Sequence, residues 1–152
     1  PVVTTDFVQG EETPHAVLGD VCGPYRYRLL SDAAGLSQFG AFVEELPPGS
    51  ASSERHWHAN EDEMIYVLEG TPTLVEDTET VLKPGDCACW KANSPVGHCL
   101  INRSDAPVRY LVIGTRNEHD VITYVDHDLI TYKSGSERRY VRRDGTEHTT
   151  GS

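Results

Sequence analysis

Short apolar segments alternate with turn residues along almost the whole chain, and this rhythm limits the fold more than any other feature. Turn signals recur about every 8–12 residues, which is typical of all-β sandwiches and barrels. The segment "KPGD" at residues 83–86 is one such tight turn. No window carries the apolar spacing of a long amphipathic helix. The sequence therefore predicts an all-β fold of short antiparallel strands, closed into a barrel or paired sheets that leave few exposed edges.

The chain has 152 residues, the length of a single domain. Its character changes along the sequence, which indicates three regions. Residues 1–37 are interpreted as an N-terminal arm with the first strands, residues 38–115 as the barrel core, and residues 116–152 as a C-terminal extension ending in a polar tail.

The net charge of −11 opposes a nucleic-acid partner, because such proteins concentrate Lys and Arg. No apolar run reaches the roughly 18 residues of a membrane helix, and the first residues lack the basic and apolar regions of a secretory signal. The expected protein has no membrane partner and a cytoplasmic location.

Four cysteines, Cys22, Cys87, Cys89 and Cys99, do not form a disulfide framework. Cys87 and Cys89 share one strand face, but a single Cys-x-Cys pair is a weak metal signal. All four are interpreted as small buried residues in a reducing compartment.

The segment "ERHWHANEDEMIYVLEG", residues 54–70, contains the clearest site signal. Strand alternation sends His56 and His58 to one face and Trp57 to the other. Glu63 opens the next strand after a short hairpin, so it can return beside the histidines. Glu61 and Asp62 are alternatives to Glu63 as the carboxylate.

His98 follows the loop "ANSPVG" and offers a third imidazole. Three neutral imidazoles and one carboxylate suit Mn, Fe, Co, Ni, Cu or Zn and leave positions open for a small ligand. The sequence therefore predicts one divalent metal ion bound by His56, His58, Glu63 and His98, and does not distinguish Fe, Mn, Zn and Ni.

These residues resemble the two signatures of the cupin superfamily. The positions that carry the resemblance are Gly49, His56, His58, Glu63 and Gly70 in the first signature, and Gly85, His98 and Asn102 in the second. The second signature departs from the family pattern, because Lys91 and Asn93 stand where Pro and Gly are usual. Over residues 38–115 the resemblance implies a small double-stranded jelly-roll barrel, a divalent metal held inside it by the four residues above, and a homodimer.

The surroundings of this metal site favour a small, partly apolar ligand. Ile65 and Val67 face the same way as Glu63, so the barrel wall there is apolar. Arg26 and Arg28 share a face and are candidates to bind a substrate carboxylate, with an exposed strand surface as the alternative. The candidate substrate-binding residues are Arg26, Arg28, Phe42, Asn102 and Tyr110.

Chemistry in this chain would rest on the metal, because the sequence has no phosphate-binding glycine loop and no nucleophile beside a base. The ion would act as a Lewis acid or as a platform for dioxygen. The predicted function is a metal-dependent enzyme on a small, carboxylated or aromatic metabolite, of dioxygenase, isomerase, decarboxylase or lyase type. The alternative is a non-catalytic cupin that binds or senses a small ligand. The sequence neighbours of Glu63 offer no acid–base group, which weighs against demanding proton chemistry unless another strand supplies one.

Overall fold

A computed structural model describes residues 1–10, 15–19 and 22–149 of the chain. Within these residues it contains thirteen strands and one short 3₁₀ helix, Asp32–Ala34. The strands are β1 (Val8–Gln9), β2 (Arg26–Leu29), β3 (Phe39–Leu46), β4 (His56–His58), β5 (Glu63–Glu69), β6 (Thr73–Val75), β7 (Glu79–Val81), β8 (Cys87–Trp90), β9 (Cys99–Ile101), β10 (Val108–Thr115), β11 (His119–Tyr124), β12 (Leu129–Ser134) and β13 (Glu137–Val141). In the described part of the chain, no helix is long and apolar enough to span a membrane.

The strands form three antiparallel sheets, which confirms the predicted all-β fold. The largest has the order β1-β2-β3-β10-β5-β8, the second β13-β12-β11-β4, and the third β7-β6-β9. Strands that are distant in sequence are neighbours in the first two sheets. Non-local pairing therefore brings the site together.

Strand alternation points the core side chains inward from the largest sheet and from the three-stranded sheet. In β5, Ile65 and Val67 are buried, whereas Tyr66 and Leu68 between and after them are exposed. The core consists of side chains from several strands, namely Leu46, Ile65, Val67, Leu74, Leu82, Trp90, Leu100, Val108 and Tyr110. Burial of each large apolar side chain contributes about 1.5–3 kcal/mol, so this cluster is the main source of stability.

The C-terminal segment is an integral part of the barrel. Strands β11, β12 and β13 build one sheet with β4, and β11 pairs directly with it through Ile122 opposite His58 and Tyr124 opposite His56. Residues 116–149 therefore help to position the two histidines of the sequence motif.

Gly70, a residue of the sequence motif, ends β5 in a backbone conformation that suits glycine. Its φ is +79°, and a Cβ atom there would lie 2.7 Å from the carbonyl oxygen of Pro107. A larger residue would be strained by both the dihedral angle and this contact.

The predicted burial of Cys87 and Cys89 is wrong. Both thiols are exposed, whereas Cys22 is half-buried and Cys99 is buried. Strand β8 is the last strand of the six-stranded sheet, and its inner face is taken by Ala88 and Trp90. The two cysteines therefore face outward.

Candidate metal centre

The four predicted ligands converge at the inner end of the barrel. His56, His58 and Glu63 each present a ligand atom, and these atoms lie within 4.8 Å of one another. His98 is 4% exposed, and its Nε2 atom lies 3.0 Å from Oε1 of Glu63. The ring centroids of His56 and His98 are 5.6 Å apart. Two strands, β4 and β5, and the residue just before β9 thus bring three imidazoles and one carboxylate to a single point.

The Nδ1 atom of each imidazole is hydrogen-bonded away from the cluster. The partners are the Glu54 carbonyl oxygen for His56 at 2.8 Å, the Asp120 carboxylate for His58 at 2.6 Å, and the Val96 carbonyl oxygen for His98 at 3.0 Å. Because these oxygens accept, each Nδ1 carries the proton and donates it. The Nε2 lone pairs are therefore left for the cluster, which is the tautomer that metal-binding histidines require.

The electrostatics of the cluster also fit a cation. In the tautomer above, Nε2 of His98 and Nε2 of His58 are both acceptors. They nevertheless lie 3.0 and 3.5 Å from the oxygens of Glu63, which also only accept when ionised. Acceptors at this distance require a proton or a cation between them. One divalent ion satisfies all three groups, and this donor set suits a first-row transition metal or zinc.

The pKa values of the cluster follow from burial and from its mutual contacts. Burial lowers the pKa of His56 to about 4, so this imidazole is neutral near pH 7. Burial alone would raise the pKa of Glu63, but in the metal-free protein the close contact with His98 and the nearby imidazoles outweigh it and lower that pKa. Burial also opposes a charged His58, yet Asp120 and Glu63 raise the pKa of this residue. A proton therefore competes with a metal ion chiefly at His58.

Asp120 is a supporting residue that the sequence analysis missed. Its side chain is fully buried, and its other oxygen accepts a hydrogen bond from the backbone N–H of Asn60 at 2.9 Å. The carboxylate thus fixes both the tautomer and the orientation of His58. No local sequence pattern marks this residue, because it belongs to β11 and reaches His58 only through sheet pairing.

Glu61 and Asp62, the two alternatives to Glu63, point elsewhere. Glu61 lies on the Nδ1 side of His58, at 3.6 Å, and accepts hydrogen bonds from Lys133 and from the backbone of Asn117. Asp62 is exposed and accepts from the backbone N–H of Ala92 at 2.7 Å. Glu63 is therefore the carboxylate that groups with the three imidazoles.

Trp90 fixes the plane of His98. The two rings are stacked with their centroids 3.6 Å apart and an interplanar angle of 5°. The indole N–H donates to the carboxylate of Glu76 at 3.0 Å, which holds the indole in place. His98 is therefore oriented both by this stack and by its own Nδ1 hydrogen bond.

The cluster opens into a cavity of about 460 Å³. Its wall is largely apolar and includes Phe42, Ile65, Leu100 and Val112, and the core residue Tyr110 also lines it. A volume of this size lies within the usual range of small-molecule sites, about 300–1,000 Å³. Phe42 and Tyr110, two of the predicted substrate-binding residues, thus lie in the cavity wall.

A half-buried acid, Glu44, lies in the same cavity, opposite Tyr110 in the β3–β10 ladder. The Tyr110 hydroxyl donates a hydrogen bond to the carboxylate of Glu44. Burial raises the pKa of Glu44 to about 7, although this hydrogen bond opposes the shift. Burial also raises the pKa of Tyr110 well above its ordinary value, so its hydroxyl stays protonated. A neighbouring strand therefore supplies the acid–base group that the sequence neighbours of Glu63 lack.

Two glycines make room beside the cluster. Gly114 lies between Gly40 and Glu63 in the sheet register, so the two positions next to Glu63 on the β10 side carry no side chain, whereas on the β8 side Glu63 lies opposite Trp90. The guanidinium of Arg116 lies over Gly40, and a Cβ atom at residue 40 would lie 3.3 Å from Nε of Arg116. The space next to the cluster is thus kept open for a ligand.

Two cations line the cavity rim. Arg116 bonds to the Asp32 carboxylate and to the Leu36 carbonyl oxygen, and Lys133 donates to Glu61 at 3.1 Å. Among the described residues that line the cavity, Arg116 and Lys133 are the two with a Lys or Arg side chain. Neither residue was predicted from the sequence.

Arg26 and Arg28 are not among the residues that line the cavity. Arg26 is exposed and pairs with Glu45 at 3.1 Å, and Arg28 donates to Thr5 at 3.2 Å. In β2 it is Leu29 that lines the cavity. The shared face of the two arginines is therefore the outer one, which corresponds to the strand-surface alternative.

Asn102 is not among the residues that line the cavity, and its side chain stabilises a turn instead. It is completely buried, and its amide donates to the carbonyl oxygens of Leu46 at 2.9 Å and Ala106 at 2.8 Å. These bonds hold the turn between β9 and β10. The amide donors of Asn102 are thus already used within the protein.

Known proteins resemble the chain in both sequence and structure. Residues 42–114 match the family model described as a cupin domain. A sugar phosphate isomerase "from a cupin superfamily" from Silicibacter pomeroyi is 42% identical, with a TM-score of 0.79 over 82% of this chain and 80% of that chain. A candidate sugar phosphate isomerase from Acidithiobacillus ferrooxidans is 28% identical, with a TM-score of 0.78 over 84% and 82%.

A more distant structure shares the fold alone. It is a predicted oxalate decarboxylase from Thermotoga maritima, 21% identical, with a TM-score of 0.54 over 62% of this chain and 83% of that chain. No curated protein matches the chain at a significant level.

Proposed function

The chain belongs to the cupin superfamily, and we propose that it is a metal-dependent isomerase that acts on a small phosphorylated sugar. The observation that carries this proposal is Glu44, a protonatable carboxyl group in the same cavity as the histidine cluster. The sequence left four reaction classes possible, and of these the proposed reaction is isomerisation.

The proposed ligands of the metal are His56, His58, Glu63 and His98. A divalent ion bound there supplies a Lewis acid for a substrate oxygen. The protein's own part is to hold the ligands in the required tautomer, to orient the substrate and to exclude water with the apolar wall.

Glu44 would move the proton. Interconversion of an aldose and a ketose transfers a proton between neighbouring carbons, so it needs one group that accepts the proton and then returns it. A carboxyl with a pKa of about 7 populates both forms near neutral pH, which is the condition for efficient acid–base catalysis. As a carboxylate it accepts the proton from the carbon beside the carbonyl, and as the acid it returns the proton to the former carbonyl carbon, while the proton of the neighbouring hydroxyl moves to the former carbonyl oxygen. Tyr110 orients the carboxyl by its hydrogen bond.

The rim cations support a phosphorylated substrate. The protein carries a net charge of −11, so an anionic substrate needs local positive charge to enter the cavity. Arg116 and Lys133 supply it, and their present partners are single carboxylates at the rim. A phosphate dianion offers more charge and more acceptor oxygens than one carboxylate, so it competes for both side chains. The 42% identical relative is described as a sugar phosphate isomerase, which agrees with this substrate class.

The test is an NMR assay of the metal-loaded protein in D₂O with a panel of phosphorylated aldoses and ketoses and their unphosphorylated analogues. We expect conversion of a phosphorylated substrate with deuterium at the carbon that receives the proton. Glu44→Gln should lose conversion but retain metal, and His56→Ala should lose both. Saturable binding of a panel member without conversion or deuterium exchange would contradict the isomerase proposal and favour a ligand-binding cupin.

A further inference from the structure

Cys87 and Cys89 form an exposed dithiol on the outer face of β8. Their sulfur atoms are 3.6 Å apart, and both side chains are exposed. The pair lies at the edge of the six-stranded sheet, on the face opposite to Trp90 and the cavity. The proposed reaction uses neither thiol.

Met64 is the neighbour of this dithiol on the adjacent strand. It is the chain's single methionine and lies directly opposite Cys89 in the β5–β8 ladder. Side chains at such opposite positions have Cβ atoms about 4.5–5.5 Å apart. Met64 and Cys89 also line one shallow cavity at the edge of the sheet. Two thiols and a thioether are thus collected on one accessible patch.

Strand geometry disfavours a disulfide between the two cysteines. Residues two apart in a strand have Cα atoms about 6.6–6.8 Å apart and side chains that run side by side. A disulfide needs Cβ atoms about 3.5–4.5 Å apart, which this arrangement does not reach without bending the strand. Oxidation of the pair would therefore distort β8 and the Trp90 position beside it.

A metal ion bridges the same gap without distortion. If an ion lies about 2.3 Å from each sulfur, the 3.6 Å separation corresponds to a sulfur–metal–sulfur angle of about 103°. This angle is close to the tetrahedral value, and a thioether can take a further position. Cysteine and methionine sulfur are soft ligands that select copper(I) over harder divalent ions.

We propose that Cys87, Cys89 and Met64 form an accessory binding site for a soft monovalent metal ion of the copper(I) type, independent of the cavity cluster. Binding one such ion to the two thiols releases two protons and changes no oxidation state. Burial and the Cys89 contact raise the pKa of the Cys87 thiol, because two adjacent thiolates repel each other. A bound cation removes that repulsion.

The test measures copper(I) transfer from its coloured bicinchoninate complex to the full chain under anaerobic, reducing conditions. All proteins in this assay carry His56→Ala. This substitution removes a ligand of the cavity cluster, so that copper binding at the cluster does not add to the copper counted at the cysteines. We expect one equivalent of copper(I) per chain. Cys89→Ser should abolish this equivalent, and Met64→Leu should weaken it about ten-fold or more.

Cys22→Ser is the matched control, because it removes one thiol away from β8 and should leave the copper equivalent unchanged. Circular dichroism checks that each variant retains the β-sheet fold. The same copper equivalent in a Cys87→Ser/Cys89→Ser double variant would overturn the proposal. Unchanged affinity in Met64→Leu would overturn the three-sulfur site.

Discussion

Replacement of Asp120 by Asn tests whether this buried residue sets the chemistry of the metal site. One Asp120 oxygen accepts from the Asn60 N–H, and an asparagine oxygen can do the same. The asparagine amide nitrogen then faces Nδ1 of His58, where the carboxylate lies at 2.6 Å in the wild type. Because an amide NH₂ only donates, Nδ1 must become the acceptor and the proton moves to Nε2. That proton then points at Glu63 and blocks the position of the metal.

The size of the effect follows from this single tautomer change. Loss of an outer partner of a metal-bound histidine typically costs 10–100-fold in metal affinity, which is about 1.4–2.7 kcal/mol. The free energy of unfolding of the metal-free protein should fall by about 1.5–3 kcal/mol, since a hydrogen bond between charged groups is weakened. A domain of this size tolerates that loss, so the variant should fold.

The assay is a metal titration followed by tryptophan fluorescence, with a chelator to set the free metal concentration; both tryptophans lie beside the cluster, Trp90 stacked on His98 and Trp57 between His56 and His58 in β4. Asp126→Asn is the control, because Asp126 pairs with Arg55 at the surface and carries the same substitution. We expect a 10–100-fold higher Kd for Asp120→Asn alone. An unchanged Kd, or an equal loss in the control, would refute the argument that Asp120 acts through the tautomer of His58.

Three further predictions test the ligand set, the acid and the cavity rim. His98→Ala should remove stoichiometric metal, measured by elemental mass spectrometry, while the circular dichroism spectrum remains that of a β-sheet protein. Folded Glu44 has a pKa of about 7, above its ordinary 4.5, so the stability it contributes is present at low pH and is lost as pH rises. Urea denaturation of metal-free protein should therefore show Glu44→Gln gaining about 2–3 kcal/mol relative to wild type between pH 5 and pH 8. A constant difference would contradict the raised pKa of this carboxyl. Gly40→Ala should displace the Arg116 guanidinium. KM for a phosphorylated substrate should rise several-fold, with little change in KM for the unphosphorylated analogue. Equal changes in both KM values would show that Arg116 does not bind the phosphate.

The four metal-ligand candidates were within reach of sequence analysis because their signals are local. His56 and His58 are two apart on a strand, Glu63 follows one short hairpin, and His98 stands at the spacing of the second cupin signature. The structure brings these side chains together as the pattern predicts. The all-β fold and the cupin membership were predictable for the same reason.

Asp120 and Lys133 were not predictable because both reach the site through sheet pairing. Strand alternation predicts which residues share a face of a strand, but it does not predict which of the two faces is buried. For this reason the burial of Cys87 and Cys89 was predicted wrongly. For the same reason, the sequence could not decide whether Arg26 faces the cavity or the surface, because this depends on how the sheet packs.

The pairing of β4 with β11 has a consequence for how the protein is made. His58 pairs with Ile122, so this contact closes a loop of about 64 residues, which costs roughly 3–4 kcal/mol of chain entropy before any contact repays it. During synthesis β4 can form its single bridge between His56 and His98 earlier, but its ladder with β11 waits until the chain beyond residue 124 has emerged from the ribosome. The ligands therefore reach their final geometry only after β11 has been synthesised, and metal loading follows folding instead of guiding it.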